Sequence, residues 1–197
     1  MLRTILLSLM TLSFLTACSS YSQSGGDPQA KAQQQVAQHN QEKAIARHGL
    51  EEQAHLTLEQ FRMADPSLAT FFKNSAGYAV YPQVTKGAVG IGAAHGNGIL
   101  YENGRVVGTT EVSQGSIGFQ LGGQVYSELI FFETPVGVAQ FKQGNMEFSA
   151  QASAVAAAKG AGANADYANG IAVFTTGEKG LMFEASIGGQ KFSFQPN

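Results

Sequence analysis

The chain has a single cysteine, Cys18, and no tryptophan among its 197 residues. One thiol excludes an intrachain disulfide and a zinc-type cysteine cluster, so the fold must rest on burial alone. Charge is also scarce: Asp, Glu, Lys and Arg make up 13% of the chain, with a formal net charge of -2 and no polybasic tract. That balance argues against a nucleic-acid partner. No GxxxxGK[ST] occurs, and no serine, histidine and acidic residue fall in a nucleophile-elbow context. The sequence thus predicts no enzyme, no cofactor and no metal centre. The four histidines do not form a metal set: His39, His48 and His55 read as exposed helix residues, and His95 lies among glycines.

Long apolar runs are missing as well. Ile5 to Leu15, preceded by Arg3, is too short to span a bilayer, which takes about 20 residues, and has the length of a signal-peptide core. It ends in Leu15-Thr16-Ala17-Cys18, the pattern of a bacterial lipobox, in which small residues admit the peptidase and the thiol takes a diacylglyceryl group. The alternative is an ordinary signal peptide with a free thiol left over. The lipobox reading predicts a mature chain starting at Cys18, anchored by two or more acyl chains. Ser19, rather than Asp, follows the cysteine, which points to the periplasmic face of the outer membrane. The segments are then a signal peptide (1–17), a lipidated tether (18–28), a Gln/Ala-rich helical segment (29–64) and one domain (65–197).

In the helical segment, Leu50, Ala54, Leu58 and Phe61 form an apolar stripe, and Asp65-Pro66 is a helix-start signal. Only Gly25, Gly26 and Gly49 of the 24 glycines precede Ser75. The remainder punctuate short runs of Val, Ile, Phe and Tyr. These predict strands at about 77–82, 87–95, 98–103, 105–113, 116–122, 124–133, 145–156, 170–176, 180–187 and 190–195. Asn103-Gly104 is a type I′ hairpin signal, His95-Gly96-Asn97-Gly98 reads as a further turn, and Thr134-Pro135 starts a brief helix ended by Gly144. Ala150 to Asp166 is read either as a strand followed by a glycine loop or as a short helix. The expected class is α+β: a largely antiparallel, Gly-rich β-sandwich or barrel-like body with N-terminal helices. Glu102, Glu111, Glu128, Glu133, Glu147 and Glu184 fall at strand positions consistent with solvent faces.

The stretch "KGAVGIGAAHGNGIL" approaches a dinucleotide fingerprint, but no helix follows Gly92 to receive a pyrophosphate. Its glycines are better read as a bare strand face, which lets another backbone, an aromatic ring or a ligand approach closely.

The blocks "AGYAVYPQVTKGAVGIGAAHGNGIL", "SQGSIGFQLGGQVYSELIFF", "GNMEFSAQASAVAAA" and "GIAVFTTGEKGLMFEASIGG", in this order, resemble the SYLF-domain family over roughly Leu68 to Phe194. The resemblance implies a lipid-binding module, actin-binding in fungal members. Lys86 falls where the family commonly carries a basic residue, whereas Ala93-Ala94-His95 lacks the basic and aromatic residues frequent in relatives. Phe119 stands where many relatives have tryptophan. Candidate lipid-headgroup contacts are Lys86, His95, which alternatively occupies a positive-φ turn position, and Lys159. The expected function is an outer-membrane lipoprotein with a phospholipid-binding module. The alternative is a non-catalytic envelope protein whose N-terminal helical segment binds a protein partner.

Overall fold

A computed structural model describes residues 28–89, 91–117, 122–146, 153–156, 159–177, 184–186 and 189–197. Eight strands are named along it: β1 (Gly77–Val89), β2 (Ile91–Glu102), β3 (Arg105–Ile117), β4 (Gly122–Phe132), β5 (Ser153–Ala156), β6 (Ile171–Gly177), β7 (Glu184–Ser186) and β8 (Gln190–Pro196). They form one sheet in the order β7-β5-β6-β4-β1-β2-β3-β8. The six strands from β6 to β8 in that order are antiparallel throughout. Short β5 adds parallel to β6, and β7 antiparallel to β5. With helices α1 (Pro28–Ala64), α2 (Ala69–Asn74) and α3 (Pro135–Lys142), the class is α+β, as expected.

The sandwich-or-barrel expectation needs correction, because the sheet is single and open, with β7 and β8 as its two edges. Yet β7 and β8 are consecutive in the chain. From Ser186 to Gln190 the backbone spans at most about 14 Å, whereas eight strands laid flat would hold their edges roughly 34 Å apart. The sheet therefore curls until its edges approach, with no ladder between them among the described residues.

Strand alternation gives the sheet two apolar faces. The inner face buries Ala79, Tyr81, Leu100, Val112, Ile130, Phe132, Val173 and Phe192, closed at one end by Val138 and Phe141 of α3. The opposite, outer face buries Tyr78, Val80, Ile99, Tyr101, Leu129, Phe131 and Phe174 under Ala54, Leu58 and Phe61 of α1 and Phe71 of α2. Central β4 is buried on both sides, which is why Leu129-Ile130-Phe131-Phe132 is an unbroken apolar run. α1 continues through Gly49, where an added Cβ would meet nothing within 4 Å. A glycine there costs the helix about 1 kcal/mol, which Leu58 and Phe61 offset by burial.

The local signals at Asn103-Gly104 and Thr134-Pro135 hold. Asn103 and Gly104 both take positive φ (51° and 73°), and Thr134 Oγ1 accepts the Gly137 N–H at 3.2 Å. The expected turn at 95–98 does not form, since β2 runs straight through it. β1 and β2 meet where Val89 pairs with Ile91, and position 90 lies outside the described residues. The glycines at 96 and 98 serve packing instead. A Cβ on Gly98 would lie 2.5 Å from Val80 O and 2.6 Å from the Tyr81 ring, and one on Gly96 would lie 2.7 Å from Gln83 O. The register shift of β1 between Val80 and Gln83 pushes its backbone there. That irregularity also admits Pro82 to a central strand, with its carbonyl accepting Ser127 Oγ at 2.7 Å. Of the ambiguous segment 150–166, the described part contains β5 and a 3-10 turn at Gly162–Asn164. The expected strands at 116–122, 145–156 and 180–187 fall partly outside the described residues.

Asp65 ties the helical layer to that turn. It caps the 3-10 turn Pro66–Leu68, accepting from Ser67 N (3.0 Å) and Ser67 Oγ (2.6 Å). It also accepts from Gly160 N (3.0 Å) and Gly162 N (2.6 Å), nearly one hundred residues away. Burial pushes its carboxyl pKa up, but the bonds from Ser67, Gly162 and Gly160 outweigh this and hold it below the usual range. A lowered folded value gives stability that is present above the unfolded pKa and lost as pH falls through the folded one. Asp65→Asn, which places an N–H against these donors, should cost about 1–3 kcal/mol near neutral pH and flatten the acid limb. Thermal melts across the acid range measure this, and an unchanged melting curve would contradict it.

Candidate ligand site inside the curled sheet

On β4, Tyr126, Glu128, Ile130 and Phe132 share the inner face by alternation. Glu128 is completely buried there. Its cross-strand partners are Tyr81 on β1 and Thr175 on β6. Gln190 at the start of β8, itself fully buried, donates from Nε2 to Glu128 Oε2 at 3.0 Å. Since β4 and β8 are separated by three intervening strands, this bond crosses the inside of the curled sheet. Gln190 pairs with Gln114 of β3, also buried.

Several polar atoms in this group are buried without a hydrogen-bond partner among the described residues: Glu128 Oε1, Gln190 Oε1, Tyr126 Oη and Thr175 Oγ1. Each such atom costs about 1–3 kcal/mol of desolvation, so a cluster of four marks a place built for something other than stability. Beside it, Tyr81 is fully satisfied. Thr110 Oγ1 donates to Ser193 O (2.8 Å), so the Tyr81 hydroxyl is the donor in its 2.9 Å bond to Thr110. Burial drives the Tyr81 pKa well above 10, against the Thr110 bond and with the Glu128 and Glu111 charges. Burial likewise raises Tyr126, helped by the Glu128 charge. The Gln190 side chain opposes that rise, at a geometry short of a full hydrogen bond. Desolvation pushes the Glu128 carboxyl up to about 7, only partly opposed by Gln190.

The structure does not bring the three candidate headgroup residues together. Lys86 of β1 pairs with Ala94 and Gln124 and shares the inner face with Val84 and Ala94. It is half-buried, and no ion pair to it occurs among the described residues. His95 pairs with Ser113 and points to the outer face, exposed, with Nδ1 3.3 Å from Glu111 Oε1. It lies within β2, and the positive-φ non-glycine residues among those described are Asn103 and Asn169, so the alternative reading of His95 falls. Lys159 is exposed in the turn that Asp65 holds through Gly160. Cys18 lies outside the described residues.

Glu128 corrects a sequence reading, since it was expected on a solvent face. The signal was available: its neighbours two and four residues along, Tyr126, Ile130 and Phe132, are apolar, so strand parity sets Glu128 among them. Glu111 and Glu133 are exposed, as expected.

Two concavities lie on the outer side. One, of about 610 Å³, is lined by Gln53, Thr57 and Gln60 of α1 and by Gln83, Ser127 and Thr176 of the sheet, without a charged group. Another, of about 510 Å³, includes Arg62, Phe72 and Lys73. Its Arg62 is already engaged, 2.6 Å from Glu59 Oε1 and 4.5 Å above the Phe72 ring.

Glu128 makes stability depend on pH in the opposite sense to Asp65. From its ordinary value of 4.5 up to about 7 the folded state holds a proton that the unfolded chain has lost. Stability therefore falls as pH rises through that window, by about 3 kcal/mol in all. Glu128→Gln should remove this slope. Denaturant titrations at both ends of the window test it, and parallel pH profiles for parent and variant would contradict it.

Comparison with known proteins agrees with the family resemblance. Residues 113–197, which run from within β3 to the end of β8, match the Ysc84 family, described as Las17-binding protein actin regulator. Beta cell expansion factor A of Aeromonas veronii is 28% identical over 149 residues. The match covers 75% of this chain and 56% of that protein, so the chain spans little more than half the length of that relative. The resemblance read from four sequence blocks and this match over the strands that carry Glu128, Thr175 and Gln190 point the same way: over residues 113–197 the chain is similar to the Ysc84 (SYLF) family.

Proposed function

We propose that this protein is a lipid-binding module of the bacterial envelope, held at the periplasmic face of the outer membrane by acyl chains on Cys18, and that it acts by binding rather than by catalysis. The observation that carries the reading is the family match over residues 113–197, which supports a lipid-binding or actin-regulator-like module. The export signal and lipobox favour the lipid side of that pair, because a protein exported to the envelope meets lipid and not cytoskeleton. The curled sheet adds a chemical reason. Its inner face carries both apolar side chains and unpartnered polar atoms, the mixture that an amphiphile matches.

A second reading has one observation in its favour. Residues 29–46 of α1 are exposed, including Val36 (59%) and Ile45 (66%), a surface that suits a protein partner. A stoichiometric crosslinked partner that is lost on deleting residues 29–48 would select it.

Vesicle flotation of the purified protein tests the lipid reading. Co-flotation with phosphatidylglycerol or phosphatidylethanolamine vesicles, and phospholipid in native mass spectra, are expected. Failure to float with any vesicle, with no co-purifying lipid, would overturn it. For the anchor, Cys18→Ser should abolish palmitate labelling and leave an unprocessed precursor; unchanged labelling would contradict it.

A further inference from the structure

The buried group around Glu128 is unbalanced in a definite direction. Once Glu128 is ionised, Glu128 Oε1 and Gln190 Oε1 are acceptors without donors among the described residues, and the hydroxyls of Tyr126 and Thr175 can each accept as well as donate. Among the described residues, no ion pair to these atoms occurs. Lys86 is the nearest inner-face cation along the described part of β1 and β4. It sits opposite Gln124, four residues along β4 from Glu128, which is about 13 Å of strand. What such a site lacks is a compact positive group rich in N–H donors. An anion would meet the Glu128 carboxylate and be repelled. A quaternary ammonium carries charge but has no N–H to give.

From this geometry we infer that the Glu128–Gln190–Tyr126–Thr175 group is a binding site for a primary ammonium, supplied by the headgroup of an aminophospholipid. The inference rests on the lipid-binding reading and sharpens it to one headgroup class. A primary ammonium brings three donors and no acceptor. Glu128 Oε1 and Gln190 Oε1 take two of them, and a hydroxyl of Tyr126 or Thr175 takes the third. Charge-assisted bonds of this kind are the strong ones. Lys86 completes the match. It faces the same interior and has no ion pair among the described residues, so its long stem can reach the phosphate of the headgroup whose amine Glu128 receives. Val84, Ala94 and Gly96 lie on the inner face between the two groups, and two of these three are small.

The test compares vesicles with one anionic background of phosphatidylglycerol and a second lipid that is phosphatidylethanolamine, its mono- or dimethyl derivative, or phosphatidylcholine. The purified protein should bind the ethanolamine vesicles about tenfold more tightly than the choline ones, with affinity falling as each methyl removes a donor. Glu128→Gln should lose the preference, and Tyr126→Phe should reduce it. Equal binding across the methylation series by the parent protein overturns the ammonium assignment while leaving lipid binding intact. No binding to any vesicle overturns the lipid reading itself. Free phosphoethanolamine separates the sources. If it competes the preference away, the free headgroup suffices for recognition; if it does not, the membrane-borne headgroup is required, and both outcomes support the assignment.

Discussion

The bond from Gln190 to Glu128 forms only because the sheet curls, and the rest of the inner face depends on that curl. The strand order puts consecutive β7 and β8 at opposite edges. A chain link of three residues then forces the edges together, and β8 arrives across the interior from β4. Had the sheet stayed flat, Gln190 and Glu128 would lie four strand spacings apart, roughly 19 Å, beyond the reach of their side chains. The curl also gives the inner face an inside, in which Tyr81, Phe132, Phe141 and Phe192 fill the end near α3. The polar group around Glu128 lies further along the same face.

The two buried carboxylates show how one fold treats the same chemical group in two ways. Asp65 receives bonds from the backbone at three N–H groups and from a hydroxyl, and stays charged. Its charge holds the turn at 160–162 onto the helical layer. Glu128 receives one side-chain amide and is otherwise surrounded by groups that do not help it ionise. The first arrangement stabilises the fold, while the second costs stability and is retained inside the sheet. A carboxylate kept at that cost, next to three other unpartnered polar atoms, is the signature of a site.

The sequence made some of this legible and hid the rest. Asn103-Gly104, Thr134-Pro135 and Asp65-Pro66 were readable because turn and cap chemistry is local and needs no partner from elsewhere in the chain. The length of β2 was not readable. Gly96 and Gly98 look like a turn in one dimension, whereas their purpose is to make room for the irregular stretch of β1 at Pro82, a contact between strands. The likeness to the Ysc84 (SYLF) family was visible in ordered blocks. Of the site, Lys86 was found through that resemblance, while Glu128 was lost to the assumption that a strand glutamate faces water. Parity with Tyr126 and Ile130 would have recovered its burial. Its bond to Gln190, 62 residues on, follows from the strand order and could not be read from either segment.

The central claim is that Glu128 is an enclosed carboxyl inside a curled sheet, poised to charge near neutral pH and to meet a donor-rich cation. Carbon-13 NMR of the glutamate side-chain carboxyls, with Glu128 assigned through the Glu128→Gln variant, reads this directly. The account predicts a titration midpoint of about 7 for Glu128 in the free protein. A midpoint in the ordinary range, near 4.5, would show the group to be solvated and would contradict the account.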